Sequence, residues 1–135
     1  MRWLALGVLV ALLAGCGFDV QAPDLFLLTR TGSGGKLTML VNSGGTIRCD
    51  GGKAHQLPDP LLLDARGLAS SLGGDAQQKL RIPSPSNSVY RYTVRLQQGT
   101  IAFPDTAAAS GKYPRLAQVE QFALEASQQA CGSSS

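Results

Sequence analysis

Glycine doublets punctuate the first half of this chain at intervals too short for helices: Gly34-Gly35, Gly44-Gly45 and Gly51-Gly52. Between them apolar and polar residues alternate, which is the two-residue period of a pleated strand. Leu25 to Thr31 reads as a first strand, and Gly32-Ser33-Gly34-Gly35 turns it into Lys36 to Asn42, where Leu37, Met39 and Val41 share one side. Ser43-Gly44-Gly45 turns again into Thr46 to Cys49, and Asp50-Gly51-Gly52 ends that run. Short strands joined by glycine turns pair with their chain neighbours, so a three-stranded antiparallel meander is expected.

The period then changes. Leu61, Leu62, Ala65, Leu68, Ala69 and Leu72 recur at helical spacing, with Asp59 placed to cap, Pro60 at the first helical position and Gly73-Gly74 as the stop. Asp75 to Lys79 has the composition for one more helical turn. Leu80 to Ser88, with Pro83 and Pro85, reads as an ordered loop. Val89 to Leu96 alternates again, with Tyr90, Tyr92, Val94 and Leu96 on one face and Arg91, Thr93 and Arg95 on the other. Gln98-Gly99 turns it into Thr100 to Phe103. After a loop of small residues, Pro114 opens a helix to about Ala130, with Leu116, Val119, Phe122, Ala123, Ala126 and Ala130 as its apolar stripe. The expected fold is α+β: about five antiparallel strands in the order β-β-β-α-β-β-α, with two helices packed on one face.

The N-terminus obeys another logic. Met1-Arg2 is a basic start, and Trp3 to Ala14 is an apolar run of about 18 Å as a helix, well short of the 30 Å of a bilayer core. Small residues follow at once, the order of an export signal. Leu13-Ala14-Gly15-Cys16 resembles the bacterial lipobox, in which a large aliphatic, two small residues and a cysteine meet a lipoprotein signal peptidase. The resemblance implies cleavage before Cys16 and attachment of a diacylglyceryl group to its thiol. Two or three acyl chains suffice for stable anchoring, since each buried methylene contributes about 0.8 kcal/mol. Residues 1–15 are then a signal peptide, 16–24 a lipidated tether, 25–131 one globular domain and 132–135 a flexible tail. The chain as a whole has 135 residues, room for one domain with a real core.

Lipidation of Cys16 leaves Cys49 and Cys131, which have one intramolecular pairing open to them in an oxidising compartment. The alternative is two separate buried thiols. Neither has the company of further ligands that a metal site requires. Twelve basic residues stand against nine acidic ones, a balance too mild and too dispersed for a nucleic-acid stripe.

Catalytic chemistry finds little support. His55 is the sole histidine, and a hydrolase would need it brought beside a serine and an acid. Ser33 and Ser43 lack the glycine-flanked setting of a nucleophile elbow. Gly32-Ser33-Gly34-Gly35-Lys36 departs from a phosphate-binding loop at Arg30 and Leu37 and joins two strands, so it reads as a hairpin turn. Glu120 and Glu125 are expected on the wet side of the last helix. No catalytic residue, metal or cofactor is expected. The candidate surface is instead basic: Arg91 and Arg95 point away from the core side of their strand, and Arg30 and Arg48 lie on strands of the same sheet.

Thr29-Arg30-Thr31-Gly32, Tyr90-Arg91-Tyr92-Thr93-Val94 and Pro114-Arg115-Leu116, with the strand order around them, resemble the emfourin-type inhibitors of thermolysin-like proteases. That resemblance implies protease inhibition. The leading expectation is a lipid-anchored domain on the extracytoplasmic face of a cell membrane, binding or structural rather than enzymatic. Its partner would be an envelope protein or an anionic polymer, not nucleic acid.

Overall fold

In the computed structural model, which describes residues 24–132, the alternating segments become the strands of one antiparallel sheet. β1 (Asp24–Gly32) and β2 (Gly35–Asn42) form a hairpin whose two-residue turn closes at the pair Gly32 and Gly35, and Gly35 takes a φ of 101° open to glycine. β3 (Thr46–Cys49) follows on β2, and β4 (Ala54–Gln56) on β3. After two helices, β5 (Tyr90–Leu96) returns to the free side of β1, and β6 (Gly99–Pro104) completes the spatial order β4-β3-β2-β1-β5-β6. At the β5–β6 turn Gly99 has a φ of 152°, and a Cβ there would run into the Ala76 carbonyl. The close approach of the preceding helix requires glycine.

The fold class is α+β, as the residue pattern implies, with six strands rather than five. β4 is the addition: three exposed residues whose main chain completes the free edge of β3. So short an edge strand buries no side-chain face and leaves no alternation to read.

The helices cover one face. α1 (Asp59–Ser71) and α4 (Pro114–Gln129) bury the apolar stripes their spacing implies, namely Leu61, Ala65 and Leu68, and Leu116, Val119, Phe122, Ala123 and Ala126. α1 starts one residue earlier than its sequence suggests, so Pro58 takes the cap position and Asp59 contributes charge in the first turn with no capping hydrogen bond. α2 (Gly73–Gln77) and α3 (Asp105–Ala109) are single turns, and α3 lies within what reads as a small-residue loop. Arg115 donates from Nε and Nη2 to Asp75 at 3.0 and 3.2 Å, tying α4 to α2.

Between the layers, Phe26 meets Phe122 edge-on at 5.5 Å, and Tyr92 stacks on Phe103 at 5.4 Å. Met39, Val41, Ile47, Val94 and Ile101 fill the sheet side of the same core. Cys49, at the end of β3, is bonded to Cys131 just past α4, with their Cα atoms 5.5 Å apart. The bridge spans 82 positions of sequence and ties sheet to helix layer. The expected signal peptide, Cys16 and most of the expected tether lie outside the described residues, as do the last three residues of the expected tail. Among the described residues no helix is long and apolar enough to cross a membrane.

Candidate binding surface

Strand register decides which arginines share a face, because directly paired residues of an antiparallel sheet point the same way. Leu28 pairs with Val94, and both are buried under the helices. Two residues on, Arg30 pairs with Tyr92, so Arg30 stands on the helix side. Its guanidinium lies 5.0 Å from the centre of the Tyr90 ring. The sequence expectation that Arg30 joins the other arginines is therefore corrected. The inward positions Phe26 and Leu28 set the parity, and Arg30 continues it at the open end of the core.

Arg48, Arg91 and Arg95 do share the outer face. Arg48 pairs with Leu40, Leu40 with Leu27, and Leu27 with Arg95, giving a row across four strands. At about 4.8 Å per strand, Arg48 and Arg95 start about 14 Å apart with two half-buried leucines between them. A second row runs from Lys36 through Thr31 to Arg91. In a third, Thr38, Thr29, Thr93 and Ala102 lead to Arg81, which bridges Ala102 from the proline-containing segment alongside β6. Lys36 and Arg81 thus join this face. Among the outward positions of these strands the carboxylate is Asp24 at the start of β1, which pairs with outward Asn42 and accepts from its Nδ2 at 3.4 Å. At the rim, Asp50 Oδ1 accepts from Thr38 N and Oγ1 at 2.9 and 3.3 Å.

The cations are differently committed. Arg91 Nη1 donates to the Ile82 carbonyl and to Ser84 Oγ at 2.9 and 2.8 Å, so its charge latches the segment from Leu80 to Ser84 over the sheet edge. Main-chain bonds between Ala102 and both Leu80 and Ile82 hold the same segment. Arg48 makes one exposed bond, from Nη1 to the Gly52 carbonyl at 3.2 Å. Arg81 and Lys36 are exposed.

A second polar cluster, on the helix side, is one that sequence reasoning passed over. Asp105, at the start of α3, accepts from Ser88 Oγ at 2.9 Å and from the N–H groups of Val89 and Tyr90 at 3.2 Å. Burial pulls the Asp105 carboxyl upward, but these bonds outweigh it and hold it below the ordinary value. Glu120 is half-buried on α4, not on the wet side, and burial together with the Asp105 charge pushes its carboxyl up. The Tyr92 phenol is pushed up to about 12, chiefly by burial and then by Glu120, with Arg30 acting in the opposite sense. The Asp105 bonds join α3 to the loop before β5 and to the start of that strand.

His55 sits exposed on β4, opposite Ile47. Among the described residues no three His, Cys, Asp or Glu side chains gather as a metal set would. No protein-family model, curated protein or solved structure matches this chain.

Proposed function

We propose that this chain is a lipoprotein of the extracytoplasmic side of a cell membrane, held through Cys16, whose domain binds a partner rather than transforming a substrate. The observation that carries the reading is Leu13-Ala14-Gly15-Cys16 directly after a short apolar run. The Cys49–Cys131 bond supports it, since such bridges persist in oxidising compartments and are rare in the cytosol. Six strands leave a broad outer face, set with arginines and threonines and free of a helix layer, and that face is the surface offered to a partner.

Intact-mass measurement of the matured polypeptide tests the anchor. The expected species begins at Cys16 and carries the added mass of a diacylglyceryl group. A first residue other than Cys16, or the absence of acyl mass, overturns the reading.

A further inference from the structure

We propose that the outer sheet face docks on the anionic phospholipid headgroups of the membrane that holds the chain, so that the sheet lies against the bilayer and the helices face away. The inference rests on the anchored reading above and adds an orientation to it.

Two observations carry it: where the tether enters, and which charges surround that point. β1 begins at Asp24, eight positions after Cys16, so the chain between them spans at most about 26–29 Å. That leash keeps the domain at an effective concentration where weak contacts are populated. β1 is an inner strand, flanked by β2 and β5, so the leash joins near the middle of the sheet rather than at an edge. At the entry itself Asp24 pairs with Asn42, and the next outward row, three residues along β1, is Arg48-Leu40-Leu27-Arg95. Lys36 and Arg81 extend the positive charge farther along and to the β6 side.

Charge is segregated between the layers. Asp59, Asp64, Asp75, Asp105, Glu120 and Glu125 all belong to the helices, whereas the outer face carries five cations, Lys36, Arg48, Arg81, Arg91 and Arg95, against Asp24, bonded to Asn42, and Asp50 at the rim, bonded to Thr38. Arginine guanidinium pairs with phosphate oxygens in a two-bond geometry. The hydroxyls of Thr29, Thr93 and Thr100 stand among these cations to meet the same oxygens. Each Lys or Arg near an anionic bilayer strengthens association about fivefold at moderate salt. A flat array of this kind suits a plane of phosphates better than a groove-bound peptide.

The test uses the full lipidated protein on supported bilayers of phosphatidylcholine, with and without one third phosphatidylglycerol, and reads protein-layer thickness by neutron reflectometry. On the anionic bilayer the layer should be about 20–25 Å thick, one sheet and one helix layer. On the neutral bilayer it should spread outward by up to the tether length. At about 1 M salt, where the Debye length is about 3 Å, the two bilayers should give the same spread layer. The Arg48→Glu/Arg81→Glu variant should spread on the anionic bilayer while the amount held stays unchanged. The Arg48→Lys/Arg81→Lys variant should stay flat, which separates lost charge from lost folding. Equal thickness on both bilayers at low salt, or a glutamate variant that remains flat, overturns the proposal. So does a domain that ignores phosphatidylglycerol yet binds soluble dextran sulfate at the same arginines, since the partner is then a polymer. Protein that washes off both bilayers refutes the anchor instead.

Discussion

The two sides of the sheet are made from the same strands yet obey opposite rules. Toward the helices, Phe26, Leu28, Met39, Val41, Ile47, Val94 and Ile101 are all but inaccessible to solvent, and each removed methylene would be felt as a cavity. Toward the outside stand Thr29, Thr38, Thr93 and the arginines, with half-buried Leu27 and Leu40 between Arg48 and Arg95. Moving one position along a strand exchanges one regime for the other. Arg30 shows what the boundary costs: placed by parity on the helix side, it needs an aromatic face, Tyr90, to sit against. The difference teaches that stability is concentrated on one face, leaving the other free to be shaped by a partner.

Substitutions on the two sides should therefore differ in size. The largest loss is expected for Phe122→Ala, which removes a ring that is 2 % exposed and packed on Phe26. A loss of about 3–5 kcal/mol in denaturant unfolding is the expectation. A value under 1 kcal/mol would mean that the two layers are not closely packed. Replacing both Cys49 and Cys131 by alanine should cost about 2–4 kcal/mol, mostly through the unfolded chain, and lower the thermal midpoint with little change in the native circular dichroism spectrum.

Arg91→Ala tests an outer-face cation that serves the fold. Loss of its bonds to Ile82 and Ser84 should cost about 1–2 kcal/mol and speed amide exchange at Ile82 and Ala102 ahead of β1. Uniform exchange rates across the sheet would contradict a local latch.

The smallest effect belongs to Glu120. Its folded-state pKa lies above the unfolded value of about 4.3, so its contribution is fully present below that pH and is lost as pH rises through the folded pKa. Glu120→Gln should accordingly be slightly more stable than the parent at pH 7, with the gain vanishing below about pH 4. Asp105 runs the other way: its depressed pKa gives stability present above the unfolded value and lost as acid reaches the folded one. Asp105→Asn should be destabilised at neutral pH and approach the parent in acid. Parallel pH profiles for the two variants would remove the distinction.

Much of the inner face was legible in the residues. The stripe of α4 and the alternation of β5 follow from spacing alone, because burial acts on each position separately. The two remaining cysteines had a single partner each. What escaped depended on contacts between distant segments. β4 pairs through main chain alone, and α3 is a turn of small residues whose start, Asp105, bonds to Ser88, Val89 and Tyr90. Glu120 looked solvated because its half-burial and the Asp105 charge that acts on it come from the packing of segments distant in sequence. Arg30 was legible after all: counting by twos from Phe26 and Leu28 puts it inside. Lys36 follows in the same way from Leu37, Met39 and Val41, whereas Arg81 becomes an outer-face residue only through its bridge to Ala102.

The division between the faces is tested most directly by urea unfolding of the Arg48→Glu/Arg81→Glu protein beside the parent. If the fold resides on the helix-covered side, reversing both charges should leave the unfolding free energy within about 1 kcal/mol of the parent. A loss as large as that expected for Phe122→Ala would show that these arginines hold the domain together, and the outer face would no longer be a surface kept for a partner.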